Sequence, residues 1–484
     1  MMIADLHISD QQNLIGGNWK PARDGHTIPV FCPSDGKPFC LLAASSAADI
    51  DAAVTTARLE FAEGSWSKLT ATARGRLLTN LANEISRNHD RLAEIEAKDT
   101  GKPISQAHAD IDAATRYCEF YGGAADKLHG EVIPYLDGYQ VQAIREPFGV
   151  TGHIIPWNYP AQMFGRSVVA SLAAGNCIVL KPAEDASLTP LLLAQLAMDV
   201  GFPDGALNVV TGTGETAGAA LAAHPGIDFI SFTGSPETGV HVQAAAAQNH
   251  IGCTLELGGK SPQILFEDAD IEAAVPAIIR GIIQNGGQTC SAGSRALIQT
   301  SVFDTVLEKL AAQIACLTVG PHHEDLDLGP LISQRQKRRV ETYMTQSGIT
   351  PVAIGCISET APAGGHYVAP TLYGPIEPDL PLAQEEIFGP VLSCLRFTDE
   401  EDAIRLANAT NYGLVAGVWT ADGGRQMRMA KSLRCGQVFI NCFGAGGGIE
   451  LPFGGRGKSG HGREKGFESL REFTQLKTIV QHHG

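Results

Sequence analysis

Phe148-Gly-Val-Thr-Gly-His-Ile-Ile155 is a short apolar run that stops at Pro156, and four similar runs follow it: Cys177 to Leu180, Leu207 to Val210, Phe229 to Thr233 and Thr254 to Leu257. The intervals between them are long enough for helices. Short apolar runs alternating with helical stretches predict a parallel sheet wound by helices on both faces, an α/β fold. In such sheets ligands gather at the carboxyl ends of the strands, where helix N-termini and glycine turns offer backbone N–H groups to phosphate. The chemistry is therefore sought where these five runs end.

Outward from this core, the 484 residues exceed one compact domain and predict two large domains with a smaller appendage. Apolar residues make up 44% and charged residues 18%, and the 54 glycines follow no repeat, which suits a globular enzyme rich in tight turns. Lys and Arg number 36 against 52 Asp and Glu, and the net charge of -16 disfavours nucleic acid and anionic membranes as partners. The 11 cysteines are odd in number and contain no Cys-x-x-Cys pair, while Met1 to Asp10 lacks a basic-then-apolar leader pattern. Free thiols in a reducing cytoplasm are the expectation. The longest uncharged stretches, such as Ser167 to Leu180, end at a lysine before they could cross a bilayer. Ile50, Ala53, Val54, Ala57 and Phe61 recur at helical spacing between Ser46 and Gly64. The tail from Phe473 to Val480 alternates like an exposed strand, an element that often pairs with another subunit.

Three segments carry candidate reactive groups. In Gln284-Asn-Gly-Gly-Gln-Thr-Cys-Ser-Ala-Gly-Ser-Arg295, Cys290 stands in a polar, glycine-rich stretch rather than on an apolar face. A free cysteine taken alone is more often packed and inert, and a nucleophilic one needs a base or a positive setting. Thr254-Leu-Glu-Leu-Gly-Gly-Lys260 ends a strand with Glu256, which can serve as a base if desolvated, although an isolated glutamate is more often a solvated surface group. Between Pro156 and Pro160 the chain is held extended, and the Asn158 amide there can donate to an oxyanion or satisfy a turn.

Two further strand ends suggest a nucleotide. Phe232-Thr-Gly-Ser-Pro-Glu-Thr-Gly239 leaves a strand and opens a helix, so Gly234, Ser235 and Gly239 can face a pyrophosphate, though the spacing is not Gly-x-Gly-x-x-Gly. Lys181-Pro-Ala-Glu184 offers groups for a ribose. His322-His-Glu-Asp325 is a poor ligand set because neighbouring loop residues rarely share one metal, and no metal is expected.

Together Pro156-Trp-Asn158, Lys181-Pro-Ala-Glu184, Phe232-Thr-Gly-Ser235, Glu256-Leu-Gly-Gly-Lys260, Gly287-Gln-Thr-Cys290, Glu385-Glu-Ile-Phe-Gly-Pro390, Pro452-Phe-Gly-Gly455 and Ser459-Gly460 resemble the aldehyde dehydrogenase superfamily over essentially the whole chain. The resemblance implies a Rossmann-like NAD-binding domain over 1–128 and 147–254 and an α/β catalytic domain over 255–458. A small β oligomerisation arm with the C-terminal tail, over 129–146 and 459–484, would build homodimers or homotetramers. It further implies that Cys290 attacks the aldehyde, that Asn158 and the Cys290 N–H hold the oxyanion, and that Glu256 activates water against the thioester. Ile154, Trp157, Gly234, Ser235 and Gly239 would meet the coenzyme, Glu386 and Phe388 would position its nicotinamide end, and Lys181 and Glu184 would hold the adenosine ribose. A carboxylate at that ribose favours NAD over NADP.

Related chains often carry Trp-Lys where this one has Arg166-Ser167. An arginine there resembles the succinate-semialdehyde dehydrogenases and implies an aldehyde with an anionic or polar tail, aliphatic or aromatic. The second arginine of that clamp is Gln284 here, and the loop from Phe443 to Glu450 is glycine-rich, with room for a bulky ring. Alternatively, Arg166 turns away to pair with an acidic neighbour. Tyr159 and Thr289 should line the substrate tunnel. A CoA-acylating enzyme is the rival reaction, against which Glu256 argues, and a catalytically silent protein on the same fold is the rival class.

Overall fold

Val150–Ile154 lies inside an eight-stranded sheet of order Asn18–Lys20, Asn13–Ile15, Leu207–Val209, Cys177–Lys181, Val150–Ile154, Phe229–Thr233, Gly252–Glu256 and Gly460–His461. The computed structural model describes residues 10–444 and 447–484. The five strands from Leu207–Val209 to Gly252–Glu256 are parallel. Helices cover them, and nearly every residue in them is buried, which is why they read as continuous apolar runs rather than alternating ones. Each fully buried Val, Leu or Ile stabilises this layer by about 1.5–3 kcal/mol. The register sets Ile154 beside Lys181 and Thr233 beside Glu256, so the predicted strand ends share one edge.

The chain then crosses to a second, seven-stranded sheet: Ala353–Ile354, Thr371–Tyr373, Val391–Phe397, Arg295–Gln299, Pro262–Leu265, Val415–Trp419 and Gln437–Ile440. All its pairings are parallel except that of Ala353–Ile354. Separate apolar clusters fill its two faces. Glu256 still belongs to the first sheet, so the passage between sheets lies in residues 257–261, just beyond the boundary drawn at 254 and 255.

Thr474–His482, Tyr139–Pro147 and Glu131–Ile133 form a small antiparallel sheet, the elements expected of an arm. One edge of the tail strand pairs within the chain, Thr474 opposite Pro147 through His482 opposite Tyr139, and its other edge is unpaired among the described residues. One expectation is corrected here: Gly460–His461, assigned to the arm and tail, belongs to the first sheet, paired with the strand that carries Glu256. The helix predicted near the start runs over Ala47–Glu63, with Ser46 and Asp49 forming a reciprocal cap. All eleven cysteines are free, and no helix among the described residues is long and apolar enough to cross a membrane. Met1 to Ser9, where a leader pattern was sought, and Ala445 and Gly446 of the glycine-rich loop lie outside the described residues.

Candidate functional site

Asn158 is fixed from both of its ends. Its side-chain amide donates to the Gln288 carbonyl at 2.9 Å, while its own carbonyl accepts from Asn285 Nδ2 at 2.8 Å and Lys102 Nζ at 3.0 Å. One amide hydrogen of Asn158 is left for another acceptor. Lys102 is buried between Glu96, 3.3 Å away, and Asp110, and these carboxylates outweigh burial and hold it charged. The neighbouring Tyr159 hydroxyl meets the Thr289 hydroxyl at 2.6 Å. The loop after the first sheet's central strand is thus stitched to the loop that presents Cys290.

That second loop turns sharply because Asn285, Gly286 and Gly287 all have positive φ, after the helix Ile271–Ile283 ends. A Cβ on Gly287 would sit 2.2 Å from the Gly389 carbonyl, so only glycine allows this approach. Cys290 emerges half-buried against Leu414, Val415 and Phe453. Burial pushes its thiol up to about 11, and Arg166 opposes the shift. Glu256 is enclosed, with only 1% of its side chain exposed, and burial raises its carboxyl well above the usual range despite Arg166. A carboxyl raised by burial binds a proton more strongly than a solvated one, as a base requires.

Arg166 corrects the expectation of a guanidinium facing the aldehyde tail. Its side chain is 5% exposed, 3.3 Å from Glu256 Oε2, and its Nε contacts Glu464 Oε2. These are ion pairs without well-aligned hydrogen bonds. The guanidinium lies 4.3 Å from the centre of the Phe453 ring, and the two carboxylates hold it charged against the effect of burial. A wide π turn over Phe164–Val169 carries it. Two buried carboxylates repel each other, and Arg166 reaches both, which is the physical reason it turns toward them. Lys465, by contrast, is only partly buried at the same place, donating to the Gly447 carbonyl at 2.5 Å, with Nζ 5.5 Å from the Phe453 ring centre.

The coenzyme candidates collect on the strand edge. Lys181 and Glu184 pair at 2.8 Å, and Glu184 also accepts from the Gly214 N–H. Burial would raise the Glu184 carboxyl, but Lys181 and backbone donors bring it below its ordinary value. Ser235 caps the helix Pro236–Gln248 through the Thr238 N–H, with Gly234 just before it at the surface. Gly239 is a further correction. It is buried, and a Cβ there would meet Leu257 at 2.8 Å, so its smallness serves helix packing rather than a pyrophosphate. Ile154 is buried at its strand end. Trp157 and Phe388 meet edge to face at 5.5 Å, with Phe388 held at φ 62. Glu386 accepts from the Gly259 N–H at 2.8 Å, and burial pushes it up to about 7.

The profile described as "Aldehyde dehydrogenase family" matches residues 19–479. The chain belongs to the aldehyde dehydrogenase family. Aldehyde dehydrogenase family 2 member B4 of Arabidopsis thaliana, a mitochondrial protein, is 41% identical over 478 residues, covering 98% of this chain and 89% of its own length. A solved Burkholderia cenocepacia structure described as a candidate aldehyde dehydrogenase superposes with a TM-score of 0.97 at 57% identity, covering 98% of this chain and 100% of its own. PnpE from Pseudomonas sp. WBC-3, solved with nicotinamide adenine dinucleotide, gives 0.95 at 39% identity, with 98% of each chain covered.

This aldehyde dehydrogenase is therefore an oxidoreductase acting on aldehydes, with a mixed α/β fold. Its site includes residues the motifs did not announce: Lys102 and Asp110 behind Asn158, and Glu464 and Lys465, which join the motif residue Phe453 around Arg166. The signal for the last two was Arg463-Glu-Lys465, a charged triplet between glycines, in a segment read as tail.

Proposed function

We propose that this aldehyde dehydrogenase oxidises an aldehyde with an anionic or polar tail to its carboxylic acid, using NAD, through a covalent intermediate on Cys290. The observation that carries this reading is convergence. Asn158 is bonded to the residue two before Cys290, and Arg166 touches Glu256 while its charge reaches the Cys290 thiol.

Cys290 Sγ passes its proton to water and adds as thiolate to the carbonyl carbon. The free Asn158 amide hydrogen and the Cys290 N–H then stabilise the oxygen of the thiohemiacetal. The chemistry a bound nicotinamide supplies is acceptance of the hydride that the thiohemiacetal loses in becoming a thioester. Glu256 takes a proton from water as the oxygen adds to the acyl carbon; the C–S bond then breaks, the sulfur takes that proton from Glu256, and the carboxylic acid is released with Cys290 restored as its thiol. Glu256 parts from Arg166 to do so, leaving Glu464 as that guanidinium's partner.

The donor set on the strand edge fits a dinucleotide. Glu184 suits ribose hydroxyls, the surface Gly234 and Ser235 lie at a helix N-terminus suited to phosphate, and Glu386, Phe388 and Trp157 suit the nicotinamide end. PnpE's bound dinucleotide supports the same use. NAD is favoured over NADP because Glu184 would repel a 2′-phosphate and Lys181 is already paired with it.

The preference for an anionic tail rests on Lys465 rather than Arg166, since it is the cation near Cys290 without a carboxylate in its ion-pair shell among the described residues. The same reading makes the enzyme a cytoplasmic homodimer or homotetramer, supported by the free thiols and by the second, unpaired edge of Thr474–His482. An aldehyde panel assayed for NADH with and without CoA tests the reaction. Turnover to free acid without CoA is expected, and strict dependence on CoA would replace hydrolysis by acyl transfer.

A further inference from the structure

Away from the cysteine crevice, two histidines and an aspartate bring their ligating atoms to one point. His89 and Asp90 open the helix His89–Thr100, and His108 lies on the adjacent helix Ile104–Ala124. His89 Nδ1 is 3.3 Å from His108 Nδ1 and 3.2 Å from Asp90 Oδ1, and His108 Nδ1 is 3.9 Å from the same oxygen. The imidazoles stack with centroids 4.9 Å apart. Donors held about 2.0–2.1 Å from a tetrahedral Zn²⁺ lie roughly 3.3–3.4 Å from one another. The three atoms are thus near the spacing of a coordination face before any ion arrives.

The far side of His89 points the same way. Its Nε2 is 3.0 Å from Asp112 Oδ1, a short but bent contact that a small turn of the exposed carboxylate would align. A carboxylate at Nε2 keeps the proton there and leaves the Nδ1 lone pair facing His108. This outer carboxylate behind an imidazole is the usual support of a metal-bound histidine. Asp112 follows His108 by one helical turn, so the same helix face supplies both ligand and support. Asp90 is 89% exposed, which leaves solvent access and room for a water as fourth ligand.

We propose that His89, His108 and Asp90 form a site for a divalent transition metal, Zn²⁺ foremost. Two imidazoles in three donors select against Mg²⁺ and Ca²⁺, which take oxygen ligands. The ion would clip the start of one helix to the side of the next. Those two helices also carry Glu96 and Asp110, the partners of Lys102, so the clip stiffens the support of Asn158.

Crystals of the full chain soaked in zinc chloride, with data collected on both sides of the zinc absorption edge, test the site directly. An anomalous peak between the two Nδ1 atoms is expected, and no peak there overturns the proposal. Calorimetric titration of the metal-free protein with zinc chloride gives the solution test, because thiols elsewhere contribute the same background to every variant. His89→Ala and His108→Ala should each lose one equivalent of bound zinc, and Asp112→Asn should weaken that equivalent about 10- to 100-fold without removing it. Unchanged stoichiometry in both alanine variants, with melting curves showing them folded, overturns it equally.

Discussion

Arg166 and Lys465 bring the same charge to the surroundings of Cys290, yet they are held differently. Arg166 is enclosed, faces Phe453 and is bound by Glu256 and Glu464. Lys465 is partly buried and held by a single carbonyl. A cation bound by two buried carboxylates belongs to the frame, because removing it leaves like charges facing each other in a medium that screens them poorly. One held by a neutral acceptor can exchange it for a substrate's anion at little cost. The difference teaches that a basic residue near a reactive thiol is not by itself a specificity element.

The strongest test of the framed side removes its base. Glu256→Gln should lower kcat about 10²–10⁴-fold while keeping a burst of roughly one NADH per active site, since acylation precedes the step it serves. Rapid-mixing absorbance measures both. Loss of the burst along with turnover would place Glu256 in thiol activation and make Arg166 a regulator of the first step rather than of the second.

Next in size is Arg166→Met, which strands Glu256 and Glu464 and should cost about 3–5 kcal/mol in denaturant unfolding. Its kcat should fall for every aldehyde alike. A change in the ratio of kcat/KM on succinic semialdehyde to that on butanal would break the comparison, returning Arg166 to the substrate. Lys465→Met should do the reverse, shifting that ratio toward butanal about tenfold, the size of one exposed-to-buried charge contact of roughly 1.4 kcal/mol, with stability little altered. An unchanged ratio would leave the tail without a recognised partner.

How legible these roles were in sequence follows from what fixes each one. The central strands were readable because burial on both faces imposes continuous apolar runs, and so were the strand-end and loop positions of Cys290, Glu256 and Asn158, because each lies near prolines or glycines. Partner choice was not. Arg166 reaches Glu464 through a segment that looks like tail but adds Gly460–His461 to the first sheet. Gly239 looked like part of a phosphate turn until Leu257 proved to fill the space beside it. Lys102 sits in Gly-Lys-Pro, an unremarkable turn sequence, and only folding brings it between Glu96 and Asp110. Local chemistry shows in sequence, whereas contacts made by packing do not.

The finest test of the comparison uses pH. Burial and the nearby Arg166 push Lys465 down to about 8, so its ammonium is present below that value and is lost as pH rises through it. The Cys290 thiol, pushed up to about 11, makes acylation faster with rising pH for any aldehyde. Taking the ratio of kcat/KM for an anionic and a neutral aldehyde cancels that common rise and leaves only what distinguishes the tails. The ratio should hold steady well below pH 8 and decline across it in the wild type, and stay flat in Lys465→Met. Arg166 remains charged throughout, so a preference for anions that persists well above pH 8 would assign the tail to Arg166 after all, through an arrangement in which it releases one of its carboxylates to the bound substrate.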